Sequence, residues 1–317
     1  MGRPFAALLA LLLVAVAGCA DGGDQPHSRP AVVCNEVATP ADGAVERLMA
    51  RLDPGQTGCL RGGDYRGSIE LTTRGTSADP ITLRSYPGEK ARLIGRLWLN
   101  RESAYLVIRG LTLDGRNPEG LPSPTVNGQH LEFVGNDVLN DHTGICFDLG
   151  HPFYGIARDV TIRANRIHDC GRLPPTNHDH GIYVGEARDT RIVGNHIYDN
   201  ADLGVHMYPD AQRTYVAGNV IESNGEGVLF GGTADVAPRD NVVEHNLITN
   251  SRTRYNVESH FEPGGPIGEN NVVRDNCIEG GARDDGSGGI APQVGFEASG
   301  NVTKAGRACR ALLRGRA

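Results

Sequence analysis

His178–Asn200 reads HDHGIYVGEARDTRIVGNHIYDN, Leu203–Asn224 reads LGVHMYPDAQRTYVAGNVIESN, and Glu226–Gly232 opens a further copy with EGVLFGG. Each copy carries a Gly followed by alternating apolar residues, a turn with Arg or Asp, a second short apolar run, and then an Asn with an apolar residue two places on. That is a cycle of short strands and turns. Aligning on the Asn extends the pattern through Asn136, Asn165, Asn195, Asn219, Asn246, Asn276 and Asn301, at spacings of 29, 30, 24, 27, 30 and 25 residues. A period of this size marks a solenoid. Two places after the first six stand Val138, Ile167, Ile197, Ile221, Ile248 and Ile278; three places before stand Phe133, Ile162, Ile192, Val216, Val243 and Val273. These are expected to stack inward. Asparagine tolerates a left-handed bend, and its amide can bond to the matching amide one coil away, so a ladder is expected along the turn.

With its asparagine ladder and GIYV-like strands, the chain resembles the right-handed parallel β-helix proteins of the pectate-lyase type, over roughly residues 40–305. The resemblance implies an all-β fold, a right-handed parallel β-helix of about nine coils. It leaves the activity open, because lyases, hydrolases, epimerases, tail spikes and adhesins share that architecture. The composition agrees: 43 Gly, 18 Pro and only 3 Met in 317 residues suit a coiled β-fold better than a helical one. A formal charge of −7 gives no electrostatic reason to expect a nucleic-acid partner.

Residues 1–19 combine Arg3, an apolar run from Phe5 to Ala17 and AVAGC ending at Cys19, the pattern of a cleaved export signal. The Gly-Cys ending resembles a bacterial lipobox, which implies lipidation of Cys19 and a cell-envelope protein held to the membrane by an N-terminal lipid anchor. A plain signal peptide with a chance cysteine is the alternative. Residues 20–39 then read as a flexible tether and 40–317 as one β-helix domain. Six cysteines remain: Cys34, Cys59, Cys146, Cys170, Cys277 and Cys309. In an oxidising compartment an even number suggests disulfides, and sequential pairing is the simplest of the 15 connectivities. Val45, Leu48, Met49 and Leu52 recur at helical spacing, which predicts a short N-terminal helix with Asp42 as N-cap, lying over the open end of the first coil. Residues 114–130 and 170–177 are expected to be long loops.

The Gly-initiated strands can be aligned coil on coil, from Gly144–Asp148 through Gly181–Gly185, Gly204–Tyr208, Gly227–Gly231 and Asn256–His260 to Gly289–Gln293. Their inward columns are apolar. Outward come Cys146, Tyr183, His206, Leu229, Glu258 and Ala291, then Asp148, Gly185, Tyr208, Gly231, His260 and Gln293. Coils stack about 4.8 Å apart, so Tyr183, His206 and Tyr208 are expected to share one patch with Asp148 at its edge. His142, His178, Asp179, His180 and Asp202 precede the glycines and are expected on the same side.

A patch of His, Tyr and Asp on such a face suits chemistry on acidic polysaccharides. β-Elimination and C5 epimerisation both neutralise a uronate carboxylate and remove the adjacent proton. The expected base is Tyr183 or His206, with His180 and Tyr208 assisting and Asp179 orienting a histidine. Asp148, His142, His178, Asp202, Glu226, Glu258 and His260 are expected to hold the substrate. DHG at Asp179–Gly181 resembles the Asp-Pro-His segment of alginate epimerases, without its proline. Two other readings stand beside this one. A glycoside hydrolase would pair Asp179 with Asp202, or Asp202 with Glu226, and a non-catalytic module would bind sugar rings on the stacked aromatics. Arg158, Arg188, Arg213 and Arg239 recur before the ladder Asn and read as a solvated turn pairing with nearby Asp. No cofactor is expected, and calcium at the Asp284–Asp285 loop is the alternative. The expected partner is an extracellular polysaccharide, met by a monomer.

Overall fold

The computed structural model describes residue 2, residues 32–303 and residue 309. The signal segment with Cys19, and the tether up to residue 31, lie outside the described residues. From residue 33 to residue 303 the chain winds as a parallel β-solenoid of roughly nine coils, with three sheets of 12, 9 and 8 strands. A typical coil runs Gln129–Val134 in the first sheet, Asp137–Leu139 in the second and Phe147–Leu149 in the third, before Ala157–Arg163 stacks on the starting strand. The third sheet, from Ile69–Leu71 to Val257–Phe261, presents the cleft described below.

Apolar residues that recur once per coil become vertical neighbours inside. Phe133 pairs with Ile162 and with Ile108, Val138 pairs with Ile167 and with Leu113, and all but Leu113, at 2% exposed, are fully buried. The asparagine ladder runs unbroken from Asn136 to Asn301, each Nδ2 donating to the Oδ1 of the next Asn at 2.9–3.0 Å. One detail of the expectation needs correcting. The left-handed residue is the one before the Asn: Gly135, Ala164, Gly194, Gly218, His245, Asp275 and Gly300 have φ of 52–65°. The bend is made there, which leaves the Asn backbone free to hold its amide in line. Shorter ladders that the repeat did not reveal link Asn200 to Asn224 and Asn241 to Asn271, each at 2.8 Å.

The three sequential disulfides Cys34–Cys59, Cys146–Cys170 and Cys277–Cys309 are formed. Such bridges belong to an oxidising, extracytoplasmic compartment, and no described helix is long and apolar enough to cross a membrane. Cys34–Cys59 and the strand Glu36–Ala38, paired with Thr57–Leu60, put ordered structure inside the stretch read as tether. The helix Ala44–Met49 buries Val45, Leu48 and Met49 at the N-terminal end of the coil stack. Asp42 does not cap it. Gly43 takes the N-cap position with φ 60° and no side-chain bond, while Arg47 reaches back to the Asp42 carbonyl at 2.6 Å.

Two further expectations change. Within 114–130, Thr125–Val126 is a strand of the third sheet, not loop. In the arginine column Arg158 pairs with Arg188, but Gln212 takes the next place and Arg213 moves to the left-handed position shared with Asp189 and Asp240. From there Arg213 grips Asp189 at 2.6 Å, so the pairing with aspartate holds although the register slips by one. Both oxygens of Asp284 accept backbone N–H groups, at 2.5 Å from Gly280, 2.9 Å from Gly286 and 3.0 Å from Gly288.

Candidate functional site

One outward column runs the length of the third sheet: Glu70, Trp98, Thr125, Asp148, Tyr183, His206, Leu229 and Glu258, each paired with the next. Asp148 therefore lies directly beside Tyr183, not at the edge of the patch. The aligned glycines had placed it two residues further along. A two-residue slip keeps every side chain on its own face, so the alternation of apolar and polar residues could not expose it. Ile145 and Cys146 precede that strand. Cys146 is buried in its disulfide instead of facing out.

Above this column lies a cleft of about 660 Å³, lined among others by Asp148, His178, His180, Tyr183, His206, Tyr208 and His260. His206 Nδ1 is 3.0 Å from His180 Nε2, with the two rings edge to face at 4.5 Å. Tyr208 stacks on His206 at 5.2 Å and Tyr183 stacks on His180 at 5.6 Å. Two glycines make room for these rings. A Cβ at Gly185 would stand 3.1 Å from Tyr183 Cε1, and one at Gly231 would stand 3.0 Å from Tyr208 Cδ2.

The two outer imidazole nitrogens, His180 Nδ1 and His206 Nε2, are buried and have no protein partner. One proton lies between the rings. With both rings neutral, the proton on His206 Nδ1 leaves the free lone pair on His206 Nε2, and the opposite pair of tautomers leaves it on His180 Nδ1. Burial, reinforced by the charge of His178, pushes His180 down to about 3, and burial with His180 beside it takes His206 well below the ordinary imidazole value. Both rings are neutral at pH 7. Burial, and then Asp148, push the Tyr183 phenol up, so it keeps its proton. Burial raises the Asp148 carboxyl to about 7, against the opposing pull of Arg96.

Other residues expected in the site serve elsewhere. Asp179 does not orient a histidine: Arg172 holds its carboxylate at 2.6 and 3.1 Å. Asp202 Oδ2 accepts the backbone N–H groups of His178 and Asp179 at 3.0 and 2.9 Å, fastening the turn that carries His180. His142 lies off the cleft, its Nδ1 3.1 Å from the Gly171 carbonyl, because Asp141 and His142 both take positive φ and break the strand alternation. Glu226 and Glu258 are buried beside Arg254, which reaches them at 3.3 and 2.8 Å. Burial and then the neighbouring Glu258 raise the Glu226 carboxyl, against the opposing pull of Arg254, so Glu226 holds its proton more firmly than an ordinary carboxyl. Cleft residues that the repeat did not reveal are His151, Glu186, Arg254 and Glu262, all outside the aligned outward columns.

Residues 125–303, more than half of the chain, match the family described as right handed beta helix region. Among solved structures the chain is similar to the pectate lyase Pel9A, with 14% identity over 87% of this chain and 80% of that one and a TM-score of 0.59. It is also similar to an endo-xylogalacturonan hydrolase from Aspergillus tubingensis, with 13% identity, 86% and 94% coverage and a TM-score of 0.58. The alginate lyase AlyF-OU02 in complex with G6 aligns at 15% identity over 83% and 63% of the two chains, with a TM-score of 0.50. At these identities the likeness is one of fold. No curated protein matches the sequence. Three all-parallel sheets, an unbroken asparagine ladder and the family match over most of its coils make this chain a member of the right-handed β-helix family.

Proposed function

We propose that the cleft binds an acidic polysaccharide and removes the proton beside a uronate carboxylate, as a lyase or a C5-epimerase. The observation that carries this reading is the neutral His180–His206 pair, whose rings line the cleft next to a protonated tyrosine and whose outer nitrogens are buried without a protein partner. His206 is the base and Tyr183 the acid, because a phenol raised above its ordinary value is a poor proton acceptor at neutral pH. A bound uronate brings the negative charge that the imidazoles lack, and its proximity raises their basicity when substrate arrives. In elimination, His206 takes the C5 proton, the C–H pair becomes the C4–C5 double bond, and the Tyr183 hydroxyl protonates the departing C4 oxygen. In epimerisation the Tyr183 hydroxyl instead gives its proton to the same carbanion on its other face, and recovers one from solvent.

Support also comes from two fold relatives described as pectate and alginate lyases. The hydrolase reading loses its carboxylates. Asp179 and Asp202 are committed to Arg172 and to backbone amides, and Glu226 is buried against Arg254 at 3.3 Å. Incubating the protein with polygalacturonate, alginate and glycosaminoglycans tests the proposal. Ultraviolet absorbance from an unsaturated product identifies a lyase, and exchange of the C5 proton with deuterated water identifies an epimerase. Neither signal on any polymer, with binding retained, leaves a sugar-binding module.

Asp148 supplies the pH dependence. A protonated carboxyl can donate a hydrogen bond to the uronate carboxylate, whereas its ionised form repels it. Because the Asp148 value is raised to about 7, kcat/KM is expected to fall as pH climbs above 7. Stability follows the same sign: the raised value favours the folded state at low pH, and that contribution is lost as pH rises from the ordinary 3.8 through about 7. Asp148→Asn keeps a donor that does not titrate, and should flatten both the alkaline limb and the loss of Tm over that window. An alkaline limb unchanged in Asp148→Asn assigns it to another group.

A further inference from the structure

We propose that Arg96, Trp98 and Tyr154 form a second anionic-sugar subsite, holding another unit of the same polysaccharide chain that reacts at His206. This rests on the reading of the cleft given above and extends it toward the N-terminal end of the same face. Trp98 stands three strand steps from Tyr183 in one outward column, roughly 14 Å away. Between them rises a hairpin closed by paired bonds of 2.9 Å between His151 and Gly155, and His151 already borders the cleft. The hairpin tip leaves Phe153 81% and Tyr154 54% exposed. Two neighbouring aromatics this exposed put apolar ring surface at the rim of the cleft, where a sugar ring can be laid against it.

The platform is built rigidly. Asn127, 2% exposed, accepts from Trp98 Nε1 at 2.8 Å and donates to the Gly155 carbonyl at 3.0 Å, tying the indole and the hairpin to one amide. Gly155 allows the approach: its φ is 135°, and a Cβ there would meet the Asn127 carbonyl oxygen at 2.8 Å. Tyr154 then stands edge-on to Trp98 at 6.1 Å, and the Arg96 guanidinium lies 4.8 Å from the indole centroid. The hydrogen bonds of that guanidinium are both to Thr125 Oγ1, at 3.5 Å, and no described carboxylate pairs with it. A planar cation beside exposed rings suits a sugar that bears a carboxylate, with the guanidinium on the acid and the rings against the pyranose. A neutral sugar would leave the cation without a salt-bridged partner, since Asp148 and Glu70 act on it only from beyond contact.

Trp98 is the only tryptophan of the chain, so its emission reports this subsite directly. The experiment titrates hexamers and dimers of galacturonate and mannuronate, with cellohexaose as the neutral control, into the wild type and into His206→Ala. A uronate hexamer is expected to change Trp98 emission in both proteins, and cellohexaose is not. Arg96→Gln should raise the Kd for the hexamer at least tenfold. Tyr154→Ala, a change on an exposed tip that leaves the core untouched, should raise it severalfold. Turnover measured in parallel separates the two claims. Unchanged emission with every uronate oligomer overturns the subsite even where polymer is cleaved, and a hexamer that alters emission without any turnover sustains the subsite while the catalytic reading fails. An equal response to cellohexaose overturns the role of Arg96.

Discussion

His206→Ala is expected to lower turnover of the susceptible polysaccharide by about 10²- to 10⁴-fold, the range that a positioned general base supplies. The variant removes the Nε2 lone pair and also strands His180 Nε2, which loses its partner at 3.0 Å. Affinity for the polymer should change far less, since Tyr183, Tyr208 and the hairpin aromatics remain. Loss in kcat with KM nearly intact is therefore the signature, and a thermal unfolding curve checks that the fold survives. His206→Gln, which can still bond to His180 but cannot take up a proton at neutral pH, should be as inactive as the alanine variant. His130→Ala serves as the control: that ring stacks on Tyr105 and bonds to Asp159 at 2.7 Å, away from the cleft. If turnover survives His206→Ala within a few fold, His206 is not the base, and His180 Nδ1 becomes the nitrogen to remove next.

The fold was legible because its signals are periodic. Ile167, Ile197 and Ile221 recur once per coil two places after an Asn, and the structure stacks them at zero exposure. The juxtaposition of Tyr183 with His206 was legible for the same reason. What escaped was whatever the period does not encode. The slip of Asp148 is invisible to a two-residue alternation, and the shift of Arg213 depends on which residue of a turn takes positive φ. Asp179 and Asp202 look like site carboxylates in sequence, yet their partners, Arg172 and two backbone amides, come from loop geometry outside the repeat. Trp98 lies in a coil before the first aligned Gly strand, and His151 in the hairpin after the strand Phe147–Leu149, so neither fell in the aligned columns. The depressed basicity of the histidine pair is likewise a property of burial, which the letters His-Asp-His do not carry.

In the interior of the ladder, Asn219→Ala is expected to destabilise the protein by about 3 to 4 kcal/mol, from the loss of several buried hydrogen bonds at once. Asn219 Oδ1 accepts from Asn195 at its backbone N–H and at Nδ2, while Asn219 Nδ2 donates to the Ile192 carbonyl and to Asn246 Oδ1, all at 2.8–2.9 Å. The site is completely buried, so alanine leaves neighbouring amide and carbonyl groups without partners and with little room for water. Asn219→Asp should be at least as damaging: it keeps the acceptor, loses both donors and places a charge where the Ile192 and Asn246 oxygens already point. Position along the ladder provides the internal comparison. Asn301, at the end, bonds to one neighbouring Asn instead of two and is partly exposed, so Asn301→Ala should cost well under half as much. Because each coil touches only its neighbours, the Asn219 defect sits in the middle of the stack, one coil from Ile197 and His196 and close beneath the strand bearing His206. Urea unfolding should therefore show a lowered midpoint, and hydrogen exchange should show protection lost first in the strands Arg191–Val193 and Tyr215–Ala217 that flank the missing amide. Equal costs for Asn219→Ala and Asn301→Ala would mean that the amides act as separate turn residues, each worth the same wherever it stands, and that the ladder contributes nothing as a connected unit.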